Sequence, residues 1–171
     1  MRTVLLAVCA CLIATAALAA DNVSVSKMAL VTMDGSVDIA ASPAKVWSTL
    51  TDADKIQSWC PMWKEPPKGG ASLASLGNAV SFTDDYGNPG KSVVVYVDAM
   101  KELRIAHVPD NGSYVCQVKF NLEGKGNTTT VKVTEQYSDD MNVPLDKDTA
   151  LQTKTEIAKY LANLKTEAEK K

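Results

Sequence analysis

The clearest pattern of hydrophobic and polar positions lies in residues 37–59, which read VDIAASPAKVWSTLTDADKIQSW. Apolar residues alternate with polar or small ones over its first positions, which is the period of a half-buried strand. Ser42 is a good helix N-cap, and Pro43 fits the first helical turn, where its missing N–H costs nothing. A second short helix is expected to begin at Asp52 and to end near Trp59. This pattern predicts one strand followed by two short helices.

A series of antiparallel strands is predicted on both sides of these helices. The first strand region covers residues 29–40, and Gly35 within it is expected to form a bulge or kink. Further segments rich in alternating or β-branched residues are separated by turn residues. These segments are residues 78–84, 91–98, 103–108, 114–122 and 128–137.

The last segment predicts one long amphipathic helix, from about Asp146 to Lys170. Apolar residues recur along it at helical spacing and form a stripe, made of Leu151, Ile157, Leu161, Leu164 and Ala168. Acidic residues near its start and lysines at its end suit the helix dipole. The stripe needs an apolar surface to cover, and the predicted strands supply one.

The order of these elements resembles that of the SRPBCC superfamily, which includes START-related, birch-pollen-allergen-like and polyketide cyclase-like proteins. The resemblance begins with the strand, the Ser-Pro start, the Val-Trp helix and the second short helix of residues 37–59. It extends to VDAMKELRI at residues 97–105 and to TTTVKVTEQY at residues 128–137. The order of elements covers residues 20–171.

This resemblance implies an α+β helix-grip fold. In such a fold a curved antiparallel sheet, here of about six or seven strands, wraps around the long C-terminal helix. Two short helices follow the first strand. The resemblance also implies a cavity between the sheet and the long helix, with ligand binding as the commonest shared role.

Residues 1–19 are predicted to be a secretory signal peptide and not part of the fold. Arg2 gives a positive start, an apolar run extends from Val4 to Leu18, and Ala17-Leu18-Ala19 supplies small residues for cleavage. The run is too short and wrongly flanked for a membrane-spanning helix. We expect cleavage after Ala19 and an exported protein, either periplasmic or secreted.

Removal of the signal peptide, which carries one positive charge, leaves residues 20–171, a chain of 152 residues with a formal net charge of −3. This length suits one SRPBCC-like domain with its own core. No basic cluster points to nucleic acid, and no second apolar run is long enough to cross a bilayer. One histidine and two separated cysteines do not make a metal site. We predict a monomer without a cofactor.

Two cysteines remain after cleavage, Cys60 and Cys116, and the sequence leaves two interpretations open. An even pair in an oxidising compartment favours a disulfide. Alternatively, Cys116 shares a strand face with Val118 and Phe120, where a free cysteine serves as a small core residue. Sequence alone does not show whether the two Cα atoms come within bonding reach.

The inward faces of the predicted elements give a set of candidate ligand-binding residues. Trp59 and Trp63 lie beside a Pro- and Gly-rich loop, where a cavity mouth is expected, although such tryptophans also serve as core anchors. The whole set is Trp59, Trp63, Phe82, Tyr96, His107, Phe120, Glu135, Tyr137, Ile157, Tyr160 and Leu164.

His107 and Glu135 are the candidates for acid–base chemistry. His107 alternates in phase with Leu103 and Ile105, and an imidazole suits a general base or a hydrogen-bond donor. The same residue equally suits the end of a strand, where its imidazole is hydrogen-bonded to the backbone or to water. Glu135 shares a face with Val133, so it either enters the cavity, where it needs a polar partner, or reaches solvent at a bent edge. No nucleophile motif accompanies the pair, and no catalytic residue is assigned.

Three functions are consistent with these features. The first is an exported protein that holds a small hydrophobic ligand, a lipid, an isoprenoid or an aromatic metabolite, in the cavity. The alternative is a polyketide cyclase-like enzyme that uses polar groups in the same cavity. A protein-interaction module of the kind that stimulates a chaperone ATPase ranks last, because that partner is cytosolic and this chain is predicted to be exported.

Overall fold

The computed structural model describes residues 30–60, 72–83, 87–112, 114–138 and 147–171 of the chain. The predicted signal peptide and Trp63 lie outside these residues, as does the Pro- and Gly-rich loop up to residue 71. The predicted cleavage after Ala19 therefore stays a prediction.

Six antiparallel strands form one sheet in the described ranges. They are β1 (Leu30–Ile39), β2 (Ala79–Thr83), β3 (Pro89–Asp98), β4 (Glu102–Pro109), β5 (Cys116–Lys125) and β6 (Thr128–Ser138). The strand order across the sheet is β1-β6-β5-β4-β3-β2. Consecutive strands from β2 to β6 are neighbours, whereas β1 pairs with the last strand and forms one edge.

Three α-helices and one short turn of 3₁₀ helix accompany the sheet. They are α1 (Pro43–Thr51), the 3₁₀ turn (Ala53–Lys55), α2 (Ile56–Trp59) and α3 (Lys147–Ala168). As predicted, the Ser42 side chain accepts a hydrogen bond from the backbone N–H of Lys45, at 3.4 Å, and caps α1. The Asp52 side chain caps the 3₁₀ turn in the same way. None of the helices in the described ranges combines the length and hydropathy that a bilayer-crossing segment needs.

The core lies between one face of the sheet and the helices. Alternation along the strands buries every second side chain on this face, as in β5, where Cys116, Val118, Phe120 and Leu122 are buried. The apolar stripe of α3 covers that face through Ile157, Leu161, Leu164 and Ala168. The architecture is the helix-grip α+β fold that the order of elements predicts.

Gly35 allows α3 to approach β1 closely. A Cβ atom at this position would lie 2.8 Å from Cδ1 of Leu161 and 3.1 Å from Cγ2 of Ile157. The strand has no bulge at this position, because the register between β1 and β6 continues without a shift through the pairing of Gly35 with Val133. The absence of a side chain at Gly35 serves the packing of the helix and not the bending of the strand.

Polar contacts hold the C-terminal end of α3 to the end of β1. The backbone N–H of Ala40 donates to Oε1 of Glu169 at 2.6 Å, and Lys165 Nζ lies 2.9 Å from the same oxygen. Lys165 Nζ also donates to the backbone carbonyl of Asp38. The hydrogen bond from Ala40, with Lys165, lowers the pKa of Glu169. This end of the helix is therefore tied to the edge strand of the sheet.

Candidate functional site

An interior cavity lies between the inner face of the sheet, the end of α2 and α3. Its apolar wall is formed by Ile56, Leu73, Ile105, Val118 and Phe120. The rest of the lining consists of residues that carry a polar group, namely Trp59, Cys60, His107, Glu135 and Tyr160. Within the described ranges, no three His, Cys, Asp or Glu side chains are grouped so as to hold a metal ion.

The cavity is much smaller than the family resemblance implies. It leaves a volume of about 30 Å³ to the centres of water-sized molecules, which is enough for about one water. Pockets for small organic ligands generally have about 300–1,000 Å³. Among the described residues, aromatic rings occupy much of the space around this cavity. The ring of Trp59 packs edge-to-face against Phe120 and Tyr160, with centroid distances of 6.0 and 6.3 Å.

His107 brings an uncharged imidazole to the cavity. Its Nδ1 lies 2.6 Å from Oγ of Ser92, the residue paired with it on β3, and the two share a hydrogen bond. Its ring meets that of Phe82 edge-on, with the centroids 5.9 Å apart. Burial lowers the pKa of His107 from 6.5 to about 4. The side chain is therefore neutral at physiological pH and available as a hydrogen-bonding group or a base.

Glu135 places a carboxyl group in the apolar wall. The residue is 7% exposed, and its Oε1 accepts a hydrogen bond from the thiol of Cys116 at 3.3 Å. Burial, followed by the charge of Glu135, raises the pKa of the Cys116 thiol, which therefore keeps its proton and acts as a donor. The sequence left open whether Glu135 enters the cavity or reaches solvent, and in the structure it lines the cavity.

Two further polar atoms of the lining residues are buried without a hydrogen-bond partner in the part of the chain that the structure describes. They are Nε1 of Trp59 and the hydroxyl oxygen of Tyr160, in residues that are each 3% exposed. Burial, followed by the charge of Glu135, raises the pKa of Tyr160, so its hydroxyl stays protonated. A buried polar group without a partner costs about 1–3 kcal/mol. The closed cavity thus has two unsatisfied groups beside its carboxyl group.

Cys60 and Cys116 are not joined by a disulfide. Cys116 is buried and bonded to Glu135, and Cys60 is half-buried at the end of α2, where it lines the cavity. The disulfide that one interpretation of the sequence favoured is therefore not formed in this structure. The other interpretation, in which Cys116 is a small core residue, matches its position among the buried side chains of β5.

Tyr96 is placed wrongly by the sequence analysis. Simple alternation puts it on the same face as Val94, but the pairing of β3 with β4 shifts between these two residues. This irregularity sends Tyr96 to the outer face, where it is exposed and its ring lies 5.0 Å from the guanidinium carbon of Arg104. Val97 then pairs with Leu103 on the inner face. A bulge of one residue reverses the face of every later side chain.

Four other predicted residues lie in or beside the core but do not line the cavity. Phe82, Ile157 and Leu164 are buried, and Tyr137 is half-buried against the core. Trp63 lies outside the described residues. Trp59, His107, Phe120, Glu135 and Tyr160 are brought together around the cavity.

Part of the apolar wall was not among the predicted ligand-binding residues. Ile105 and Val118 alternate in phase with Leu103 and Phe120, so the strand period carried enough information to include them. Leu73 lies within the Pro- and Gly-rich loop predicted over residues 65–76, where no periodic pattern indicates that a side chain is buried. Its burial depends on the hydrogen bond from its backbone N–H to the carbonyl of Thr51, at 2.8 Å, which draws the chain across the end of α1.

Residues 31–169 match the sequence model of a family described as polyketide cyclase/dehydrase and lipid transport. The chain belongs to this family. Membership in the cyclase/dehydrase and lipid transport family confirms the SRPBCC resemblance and supports hydrophobic ligand binding or cyclase-like chemistry. No curated protein matches the chain.

Solved structures share the fold of this chain. Truncated norcoclaurine synthase from Thalictrum flavum is 12% identical, with a TM-score of 0.65 over 87% of this chain and 99% of that chain. The Aha1 dimer from Colwellia psychrerythraea is 24% identical, with a TM-score of 0.59 over 81% of this chain and 96% of that chain. DynU16, from the dynemicin biosynthetic locus, is 18% identical, with a TM-score of 0.60. The match covers 79% of this chain and 46% of the DynU16 chain. These likenesses show the fold alone.

Proposed function

We propose that this is an exported protein that binds a small hydrophobic ligand, such as a lipid, an isoprenoid or an aromatic metabolite, between the sheet and α3. One observation carries the proposal: an apolar cavity lies at this place, and polar groups of His107, Glu135 and Tyr160 belong to its lining. Apolar walls with a few oriented polar groups are typical of sites for small molecules. The family description, which includes lipid transport, supports the same class of ligand.

Binding requires the walls of the cavity to move. The free volume of about 30 Å³ is far below that of a lipid or an aromatic metabolite. The side chains that a ligand must displace are those that fill the space, the rings of Trp59, Phe120 and Tyr160. The two unsatisfied polar atoms in this group make the closed arrangement less stable than a fully paired core, which lowers the free-energy cost of opening.

A substitution that fills the cavity should weaken binding. Val118→Leu adds one methylene to a wall residue, whereas Val94→Leu makes the same change at a buried position outside the cavity. We expect Val118→Leu to weaken the binding of the neutral apolar probe N-phenyl-naphthylamine by about tenfold, equivalent to ~1.4 kcal/mol. Val94→Leu should leave the affinity within about twofold of that of the parent protein. Fluorescence titration measures both.

Ligands carried by the native protein provide an independent test. Protein purified from producing cells is extracted and the extract examined by mass spectrometry, and the intact mass of the chain reports whether residues 1–19 have been removed. An apolar compound recovered in near-stoichiometric amount supports the proposal. Failure to recover any such compound, together with no probe binding by the unmodified protein, would defeat it.

Cyclase-like catalysis is the second candidate function. The observation in its favour is that a neutral imidazole, a carboxyl group and a phenol, those of His107, Glu135 and Tyr160, line one cavity. Groups of this kind act as general acids and bases when a substrate lies within hydrogen-bond reach. No nucleophile or metal is needed for such proton transfers.

Substitution of the polar groups distinguishes catalysis from binding. With a polyketide-type substrate that the protein is found to turn over, Glu135→Gln and His107→Ala should each lower kcat by about 100-fold or more if they transfer protons. Ser81→Ala, on the exposed side of β2, serves as the control. Unchanged kcat in both variants would exclude catalysis by this pair and leave the binding function standing.

A further inference from the structure

We infer that the ligand of this cavity carries an uncharged oxygen group, a hydroxyl or a carbonyl, that hydrogen-bonds to Nε1 of Trp59 and to the hydroxyl of Tyr160. The inference rests on the proposed binding function and deepens it by naming the chemistry of one end of the ligand. Both atoms belong to residues that line the cavity, and both are buried and unpaired in the described part of the chain. Their side chains are in direct contact, with ring centroids 6.3 Å apart.

The requirement for an acceptor comes from Trp59. An indole N–H is a donor only, so it is satisfied by an oxygen or nitrogen lone pair and by nothing else. The phenol of Tyr160 can donate and accept, so it too can pair with an oxygen group of a ligand. Buried indole and phenol groups in proteins normally have a partner. Two such groups unpaired side by side therefore point to a partner that arrives from outside the chain.

A negatively charged head group does not fit this position. Glu135 lies in the same lining, and its charge contributes to the raised pKa of Tyr160. A carboxylate or phosphate would lie beside this acidic group in an apolar wall, and no lysine or arginine among the described lining residues offsets the repulsion.

A positively charged head group fits no better. An ammonium has no lone pair and so leaves the N–H of Trp59 without an acceptor. It would also have to lose its hydration inside an apolar wall, a cost that a single carboxylate offsets only with good geometry. An alcohol or a ketone pairs with both groups at a far smaller desolvation cost.

The size of the existing cavity agrees with an oxygen group at this position. Its volume of about 30 Å³ is close to the space of one water molecule. A hydroxyl or carbonyl oxygen occupies a comparable space, whereas an aromatic ring does not. The oxygen-bearing end of the ligand therefore occupies the existing cavity. The apolar part of the ligand occupies space that opens when the walls move.

A series of ligands with one apolar body and different ends tests the inference. The probes are octanol, hexyl methyl ketone, octanoate, octylammonium and octane, each measured by displacement of N-phenyl-naphthylamine at neutral pH. We expect octanol and the ketone to bind at least about tenfold more tightly than octanoate, octylammonium and octane.

Tyr160→Phe removes one of the two partners and nothing else. It should weaken octanol binding about fivefold, leave octane binding within about twofold, and raise the urea midpoint of the unliganded protein, because an unsatisfied hydroxyl is gone. A purely structural hydroxyl would lower that midpoint on removal. Tyr114→Phe, at a half-buried tyrosine outside the cavity lining, is the matched control and should leave all affinities unchanged.

The outcomes separate this inference from the proposed function. Selective binding of octanol and the ketone, reduced by Tyr160→Phe, supports the inference. Equal binding of all five probes, or tightest binding of octanoate or octylammonium, overturns it and leaves the binding function intact. If neither the naphthylamine nor any probe binds, the proposed function fails and the inference fails with it.

Discussion

Replacing Leu164 with alanine is expected to destabilise the protein by about 2–5 kcal/mol. Leu164 is 0% exposed and lies in the apolar stripe of α3, so the change leaves a cavity among packed side chains. The loss combines the transfer free energy of the removed methyl groups with the cost of the space they leave. Urea unfolding monitored by far-UV circular dichroism measures it.

A matched leucine provides the control for this prediction. Leu76 is 67% exposed, and Leu76→Ala should change the free energy of unfolding by less than about 0.5 kcal/mol. Because Leu164 does not line the cavity, the folded fraction of Leu164→Ala should bind N-phenyl-naphthylamine as tightly as the parent protein does. Equal stabilities for the two alanine variants would contradict the helix-grip packing described for α3.

Acidification below neutrality is expected to destabilise the protein through His107 by up to about 3 kcal/mol. The pKa of His107 is about 4 in the folded protein and 6.5 as the ordinary value. Between these values the unfolded chain binds a proton at His107 and the folded chain does not, so stability falls as the pH falls from about 6.5 to 4. The magnitude follows from about 1.4 kcal/mol for each unit between the two pKa values.

The variant that isolates this effect is His107→Asn, whose amide can keep the hydrogen bond to Ser92 but does not titrate. His107 is the only histidine of the chain, so no other imidazole contributes to the difference between the two proteins. Urea midpoints measured from pH 7 to pH 4.5 should decline more steeply for the parent protein than for the variant. Parallel curves would show that the imidazole is as easily protonated in the folded state as in the unfolded chain.

The fold could be derived from the sequence because its signals are local and repeated. The Ser42–Pro43 helix start, the alternating strands and the stripe of α3 each specify an element by periodicity or capping. Gly35 shows the limit of such signals. A glycine within a strand indicates either a bulge or a close approach, and only the position of Leu161 and Ile157 across the core decides between them.

The site could be derived only in part because it depends on tertiary relations. Alternation identified His107 and Phe120 as inward residues but left Glu135 open between the cavity and solvent. A single irregularity in β3 was enough to send Tyr96 to the opposite face. Cavity size is still less accessible from a sequence, because it depends on the rotamers of a few rings. Trp59 packed edge-on against its neighbours leaves space for about one water.

The contacts between α3 and β1 also determine which part of the helix can change its position. Leu161 and Ile157 rest on Gly35, and Glu169 is bonded to Ala40, so a tilt of α3 has its pivot in the C-terminal half. Lys147 lies about 15 Å before Ile157 along the axis, and a tilt of about 10° displaces it by about 3 Å. Tyr160 lies near this pivot, so a tilt displaces its backbone much less than that of Lys147. A helix that tilts in this way would keep its contact with one end of the proposed ligand. At the other end it would make room for apolar parts of different length.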